Sequence, residues 1–297
     1  MMKNSPQKII GLLTLLLFLT SMSCNLLQLG AKATPIPPGN QSGIPPAPTQ
    51  AVLPLPSPTT AAPTNTPQPS AYFNGITFTY DPSLSKGVSA QTIEASAPAS
   101  DQMPFFAVNP KEDQFNFQGY PITQNLPPQI LVFSVSEYEK LISDPVLNKQ
   151  IDDLKKLLAD RPADSSGELP FLPIMNAGQL MHAQLKYIKF QNGTGVRYLA
   201  EYGQNFAPLS NTLLFYTFQG ITSDGAYYIS ATLPVNHAKL PGDDGELQLT
   251  KDFQKFSDNF PSYVVDIQNK LNAEQASSFT PSLDTLDAMI ISLKVAK

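Results

Sequence analysis

The sequence predicts an α+β domain, in which helices pack on an antiparallel sheet. Between residues 180 and 233, four runs of alternating apolar and polar residues follow one another, separated by turn residues. This is the pattern of four consecutive antiparallel strands, a meander. On both sides of this region, apolar residues recur three and four positions apart, which is typical of amphipathic helices.

The chain before the meander predicts strands first and then helices. Short alternating runs predict strands at 76–80, 88–97, 115–118 and 130–135. After them, Ser136 and Glu139 have the spacing of a capping box, and Asp144-Pro145 combines an N-cap with a first-turn proline. The second helix should bury an apolar stripe formed by Leu147, Ile151, Leu154 and Leu158.

The four strands of the meander should run through 181–187, 196–202, 213–219 and 227–233. Asn192-Gly193 separates the first two, and Asn-Gly between alternating runs is the strongest short-range hairpin signal. Asp224-Gly225 separates the last two in the same way. In the first strand, the alternation places one set of side chains in the core and directs the other, His182, Gln184 and Lys186, to solvent.

The C-terminal part predicts further helices. A segment containing Phe253 and Phe256 should end at Pro261, which begins a second helical segment. Thr280-Pro281 should begin the last helix, whose buried face would consist of Leu283, Leu286, Ile290 and Leu293.

Residues 1–23 have the three parts of a signal peptide: a basic start, an apolar run at 9–19, and small residues before Cys24. The eleven residues of the run would span roughly 16 Å as a helix, and a membrane span needs about 20 residues. The segment 19–24 resembles a bacterial lipoprotein signal. We therefore expect cleavage before Cys24, lipidation of its thiol, and an extracytoplasmic, membrane-anchored lipoprotein. A secreted form and an uncleaved anchor are the alternatives.

A proline-rich spacer should follow the lipidated cysteine, over residues 24–70. From Ala31 to Ser70 there are twelve prolines and one charged residue, Lys32. Such a segment cannot bury enough apolar surface to offset the entropy of ordering it, and its prolines keep it extended. We expect a disordered linker that holds a single globular domain, residues 71–297, away from the membrane. A proline-rich ligand for a partner domain is the alternative.

Charge and composition exclude several classes of function. The net charge is −5, and it becomes −7 when Lys3 and Lys8 leave with the signal peptide. This disfavours nucleic acid as a partner and leaves the N-terminal lipid as the expected contact with the membrane. His182 and His237 are the only histidines and Cys24 is the only cysteine. No metal-binding spacing is present, so we expect neither a metal nor a cofactor.

One group of polar residues in the meander is a candidate ligand site. Arg197 and Glu201 share a face of the second strand, and His182 lies on the polar face of the first. Across the hairpin, Lys186 should lie near Glu201. His182, Arg197 and Glu201 could bind a polar ligand. The alternative, which we favour, is that the charges form cross-strand pairs worth a few tenths to about 1 kcal/mol.

Two resemblances extend these expectations. The segments YFNGITFTY at 72–80 and LDAMIISLKV at 286–295 resemble the first strand and last helix of PsbP-like α/β/α sandwich domains. The segments GVRYL at 195–199 and FYTFQG at 215–220 are similar to uncharacterised bacterial lipoproteins with a Pro/Thr-rich spacer. The first resemblance implies helices on both faces of a sheet in a non-catalytic module. Neither implies a role for any particular residue.

Two functional hypotheses follow. The first is a membrane-tethered lipoprotein with a non-catalytic binding or assembly domain, whose partner is a protein or a small molecule. The second is an extracytoplasmic hydrolase that uses carboxylates. An apolar or aromatic groove without paired carboxylates would favour the first hypothesis. Two carboxyl groups about 5–10 Å apart across a cleft would favour the second.

Overall fold

The computed structural model describes residues 68–96, 108–141, 145–164, 167–243 and 253–297. The predicted signal peptide, Cys24 and all but the end of the predicted spacer lie outside these residues. The predicted cap Asp144 and the side chain of Leu147 also lie outside them. Within the described ranges, no helix is both long enough and apolar enough to cross a membrane.

The described residues form ten strands and four helices. In the first half of the chain these are β1 (Ser70–Phe73), β2 (Ile76–Thr79), β3 (Gly87–Ile93), β4 (Glu112–Gln118), β5 (Gln129–Ser134), α1 (Val135–Leu141) and α2 (Pro145–Asp160). In the second half they are β6 (Gly178–Phe190), β7 (Gly193–Gly203), β8 (Phe215–Thr222), β9 (Tyr227–Pro234), α3 (Phe253–Asn272), α4 (Leu283–Ser292) and β10 (Lys294–Val295).

Seven strands form one antiparallel sheet in the order β3-β4-β5-β9-β8-β7-β6. The last four of these are the predicted meander, and the hairpins at Asn192 and Gly225 are both present. β1, β2 and β10 form a separate three-stranded antiparallel sheet. The prediction of an α+β fold with an antiparallel meander is therefore confirmed.

Both faces of the large sheet are buried. On one face α1 and α2 pack over a core that includes Phe133, Tyr198 and Phe215. On the other face α3, α4 and the small sheet pack over a core that includes Leu199 and Phe218. Because side chains alternate between the two covered faces, every residue of the interior strand β8 is buried.

The edge strand β6 departs from the predicted alternation because it contains a β-bulge. Ala183 pairs with Leu199 but Lys186 pairs with Arg197, so three steps on β6 face two on β7. The backbone of Gln184 has a φ of +57° at this point. Because of the extra residue, the side chains that follow it in β6 point to the opposite faces of the sheet from those that the alternation predicts. Tyr187, predicted to lie in the core, is therefore only partly buried, whereas Ile188 is buried.

The bulge is held against the C-terminal end of α3. The side-chain amide of Gln184 donates hydrogen bonds to the carbonyl oxygens of Leu271 and Glu274, each at 2.8 Å. Its backbone N–H donates to Oδ1 of Asn272. The last carbonyl groups of a helix have no partner within the helix. Gln184 supplies partners to them and so fixes the sheet edge to the helix.

Two predicted helix starts need correction. The hydroxyl of Ser134 accepts a hydrogen bond from the N–H of Glu137 at 3.3 Å, so Ser134 caps α1 instead of Ser136. The hydroxyl of Ser282 accepts from the N–H of Asp284 at 3.3 Å and caps α4, two residues after Thr280. In both cases a serine adjacent to the first helical turn performs the capping role.

The predicted helix break at Pro261 is wrong, because α3 continues through this residue. Pro261 is exposed, so the carbonyl group that loses its hydrogen bond lies on the solvent side of the helix. Two other predicted helix features are confirmed within the described residues. α2 begins at Pro145, and Ile151, Leu154 and Leu158 of its predicted stripe are buried. The predicted face of α4 is also buried.

Candidate functional site

Arg197, one of the three predicted site residues, is buried and only 2% exposed. Its guanidinium binds the carboxylate of Asp287 on α4 through Nε to Oδ1 and Nη2 to Oδ2, each at 3.1 Å. The hydroxyl of Tyr216 donates to Oδ1 at 3.1 Å, and Nζ of Lys186 donates to Oδ2 at 2.8 Å. Each carboxylate oxygen thus accepts two hydrogen bonds, and the group bridges the sheet and α4.

This network corrects the predicted surface charge pairs. Lys186 lies opposite Arg197 on the neighbouring strand, whereas Glu201 pairs with Met181. Arg197 also donates from Nη1 to the carbonyl oxygen of Gln184 in the bulge. Burial, and next the charge of Asp287, raises the pKa of Tyr216 well above its usual value, so its hydroxyl stays a donor. We assign these residues a structural role.

The other two predicted residues lie apart from Arg197. Glu201 is fully buried, and its Oε2 accepts a hydrogen bond from the N–H of Ser210 at 3.1 Å. His182 is partly buried on β6, and its carbonyl oxygen accepts from Nε2 of Gln268 at 2.8 Å. The structure therefore does not bring His182, Arg197 and Glu201 together at the surface. Glu201 instead holds the segment that follows β7.

A cleft of about 580 Å³ lies where β6 begins, β7 ends and α3 begins. We call it the aromatic cleft. Phe206 and Phe253 line it and are 46% and 52% exposed. Leu180 lies beside them, and the amide side chains at the rim belong to Asn176, Gln204 and Asn205. Among the described residues that line the cleft, none carries an ionisable side chain.

The ring of Phe206 is held in place by α3. It stacks on the buried ring of Phe260, with 4.7 Å between the ring centroids and 31° between the planes. On the same helix, the hydroxyl of Tyr263 accepts a hydrogen bond from the N–H of Leu209 at 3.0 Å. At the other end of the segment, Nε2 of Gln204 donates to the carbonyl oxygen of Asn176 at 2.7 Å. The loop that carries Phe206 is therefore fixed at several points before any ligand arrives.

This arrangement can bind an apolar group and orient it. Apolar side chains with a few polar groups at the rim are typical of ligand sites, whose volumes are about 300–1,000 Å³. Exposed aromatic rings that are contiguous and rigidly supported also mark interaction surfaces. The described lining residues offer apolar contact area and side-chain amides, and none of them is an acid, a base or a nucleophile.

One feature of the sequence indicates the aromatic cleft. Phe206 stands alone among polar and small residues, in the segment GQNFAPLS at 203–210. An isolated aromatic residue in a loop is better explained by binding than by folding. Phe253 was predicted as part of a helix face, but its side chain is exposed. Phe253 lines the aromatic cleft because the end of β7 lies near the start of α3, and the local sequence does not show this arrangement.

His237 lies in the segment that follows β9, and it is buried. Its Nδ1 accepts a hydrogen bond from the N–H of Lys239 at 3.2 Å, so Nε2 carries the proton and donates to Ser278 at 3.1 Å. Burial lowers the pKa of His237, which favours the neutral ring. Among the described residues, no group of three or more His, Cys, Asp or Glu side chains is arranged to hold a metal ion.

Comparisons of the chain with protein-family models, with curated proteins and with solved structures found no match in any of the three. The resemblances noted from the sequence thus remain expectations.

Proposed function

We propose that this protein is a lipid-anchored, extracytoplasmic lipoprotein whose folded domain binds a partner without catalysing a reaction. The aromatic cleft is the observation that carries the binding role. The order of residues in 1–24 supports the anchor, because a basic start, a short apolar run and small residues lead directly to Cys24. Two or more acyl chains would anchor the protein stably, whereas one chain is marginal.

The partner should present an apolar or aromatic group flanked by hydrogen-bonding groups. Phe206 and Phe253 supply apolar contact area, and the amides at the rim can donate to and accept from the polar parts of the partner. A protein segment and a small amphiphile both have this chemistry. The predicted spacer, with a reach on the order of 140 Å at full extension, would let the cleft search for partners away from the membrane.

The alternative, a hydrolase that uses carboxylates, has less support. Glu112, Asp113 and Glu137 line one cleft, in which Glu137 comes from α1 and the other two are consecutive residues of β4. Consecutive strand residues point to opposite faces of a sheet. Asp113 also accepts hydrogen bonds from Thr92 and Asn74 at 2.7 and 3.1 Å, and pairs with Lys297. A carboxylate held in this way is poorly placed to act as a nucleophile or a base.

The anchoring role can be tested by replacing Cys24. We expect the parent protein to enter the detergent phase on phase separation and to yield an acylated N-terminal peptide by mass spectrometry. Cys24→Ala should be released from the membrane or left unprocessed. Normal cleavage with full membrane retention of Cys24→Ala would contradict the proposal.

The binding role can be tested with the chain from residue 24 onward, carrying Cys24→Ser so that no acyl chain is present. We expect the apolar fluorescent probe anilinonaphthalene sulfonate to bind the aromatic cleft, and Phe253→Ser to weaken binding about tenfold, roughly 1.4 kcal/mol. Val265 is an exposed residue of the same helix, so Val265→Ser is a matched control that should not change binding. Equal affinity in both variants would contradict the assignment.

A further inference from the structure

A second cleft, of about 310 Å³, lies where β4 begins and β5 ends. We call it the polar cleft. Side chains from four strands, α1 and the C-terminus line it, among them Thr92, Glu112, Asp113, Ser134, Glu137 and Lys297. It shares no lining residue with the aromatic cleft.

Glu112 is the unusual residue of this cleft. It is only 8% exposed, and its Oε2 has no hydrogen-bond partner among the described residues. On the neighbouring strands it lies opposite Ile93 and Phe133, and neither side chain can donate a hydrogen bond. A buried carboxyl oxygen without a donor is unfavourable, so such a group requires an explanation.

Four donors that line the polar cleft bind groups other than Glu112: Asn74, Thr92, Lys111 and Lys297. Asp113 accepts from Thr92 and Asn74 and pairs with Lys297. Lys111 pairs with Glu94 at 2.9 Å. The residues around this cleft therefore supply three partners to Asp113 and none to the buried Oε2 of its neighbour, Glu112.

A second acidic side chain at this cleft comes from α1. Glu137, in the first turn of α1, is exposed and lines the same cleft. Glu112 and Glu137 thus offer acceptors, while the lysines at the cleft interact with Glu94 and Asp113. A ligand that fits this arrangement brings donors and a positive charge.

We propose that the polar cleft binds the primary ammonium group of a small amine, with Glu112 as the principal acceptor and Glu137 as a second negative charge. An ammonium group has three donors and no acceptor, which matches a buried carboxylate that lacks donors. A divalent metal ion fits less well, because the described carboxylates do not form a group that could hold one. The cleft, at about 310 Å³, is large enough to hold a compact amine.

Binding should depend on pH, because the ammonium ion binds the ionised form of Glu112. Burial raises the pKa of Glu112 to about 7. The ionised fraction, and with it the affinity, should rise about tenfold from pH 6 to pH 8. The other charged or titratable groups at the cleft are Lys111 with its partner Glu94, Asp113, Glu137, Tyr227 and Lys297. Removing Glu112 alone should therefore abolish this dependence.

The test uses the full chain in nanodiscs of zwitterionic phosphatidylcholine, with n-propylamine and uncharged n-propanol as a matched pair of probes. Ligand-observed NMR titration at pH 6 and pH 8 gives the affinities. We expect n-propylamine to bind about ten times more tightly at pH 8, and n-propanol not to bind. Glu112→Gln should weaken amine binding at least tenfold and remove the pH dependence.

Glu139→Gln is the control, because Glu139 is an exposed acidic residue of α1 that does not line the cleft. It should leave the affinity unchanged, and circular dichroism should show that both variants are folded.

Equal binding of the amine and the alcohol would overturn the proposal. So would unchanged amine binding in Glu112→Gln, or binding of calcium in preference to the amine. The proposal stands on a separate cleft and does not depend on the proposed function.

Discussion

Arg197 of β7 and Asp287 of α4 form a bidentate ion pair in the core, with two N–O distances of 3.1 Å. The two residues are ninety positions apart in the chain. Their pairing joins the central sheet to the last helix, and both side chains are almost completely removed from solvent. Because a buried charge without its partner is very unfavourable, each residue of the pair depends on the other.

Removing one partner of this pair should therefore destabilise the fold. We expect Arg197→Met to reduce the free energy of unfolding by about 3–5 kcal/mol, measured by urea denaturation. The double variant Arg197→Met with Asp287→Leu should recover much of this loss, since no buried charge remains unpaired and the half-exposed Lys186 can be hydrated instead. Lys189→Met, at an exposed position of β6, should change stability by less than about 0.5 kcal/mol. A similarly small effect of Arg197→Met would show that the pair is not buried.

The packing of the meander predicts a large effect at Phe215, which is fully buried on the α2 side of the sheet. Phe215→Ala should cost about 3–5 kcal/mol, because burial is lost and a cavity remains. Tyr72→Ala is the matched control, since Tyr72 is an exposed aromatic residue of β1. Its cost should stay below about 0.5 kcal/mol. An unchanged melting temperature in Phe215→Ala would contradict the assignment of β8.

Glu112 should make stability depend on pH. Burial raises its pKa from the usual 4.5 to about 7, so the folded state binds the proton more tightly than the unfolded state. The contribution of Glu112 to stability is then most favourable below pH 4.5, falls as the pH rises to about 7, and is constant above that. Glu112→Gln should match the parent at pH 4 and exceed its unfolding free energy by about 3 kcal/mol at pH 8. Urea denaturation at the two pH values measures this. A gain that does not change with pH would mean that the carboxyl group does not titrate as described.

The sequence predicted the strands and helix faces that depend on local pattern. β2 and α4 are examples, because their buried residues follow from a period of two and a period of 3.6 respectively. The bulge in β6 could not be predicted in this way. The alternation continues from Met181 to Tyr187 without a break, and the groups that stabilise the bulge belong to the end of α3, almost ninety residues away.

The candidate sites depend on the same long-range information. Arg197 was expected at the surface because its partner Asp287 cannot be identified from strand pairing alone. Glu112 is buried only because β5 and α1 lie against β4. Phe206 and Phe253 are forty-seven residues apart, and they line one cleft because α3 packs beside the β6–β7 hairpin. The local sequence could indicate Phe206 as an isolated aromatic residue, but it could not show that Phe253 lines the same cleft.

The occupancy of the aromatic cleft in the cell tests the proposed binding function most directly. Phe253 can be replaced by a photoreactive phenylalanine analogue in the full-length protein, and intact cells irradiated before mass spectrometry of the purified adducts. We expect a defined adduct at position 253 and none when the same analogue replaces Val265, which is equally exposed on α3. No adduct at position 253, or the same adducts at both positions, would contradict a binding role for the aromatic cleft.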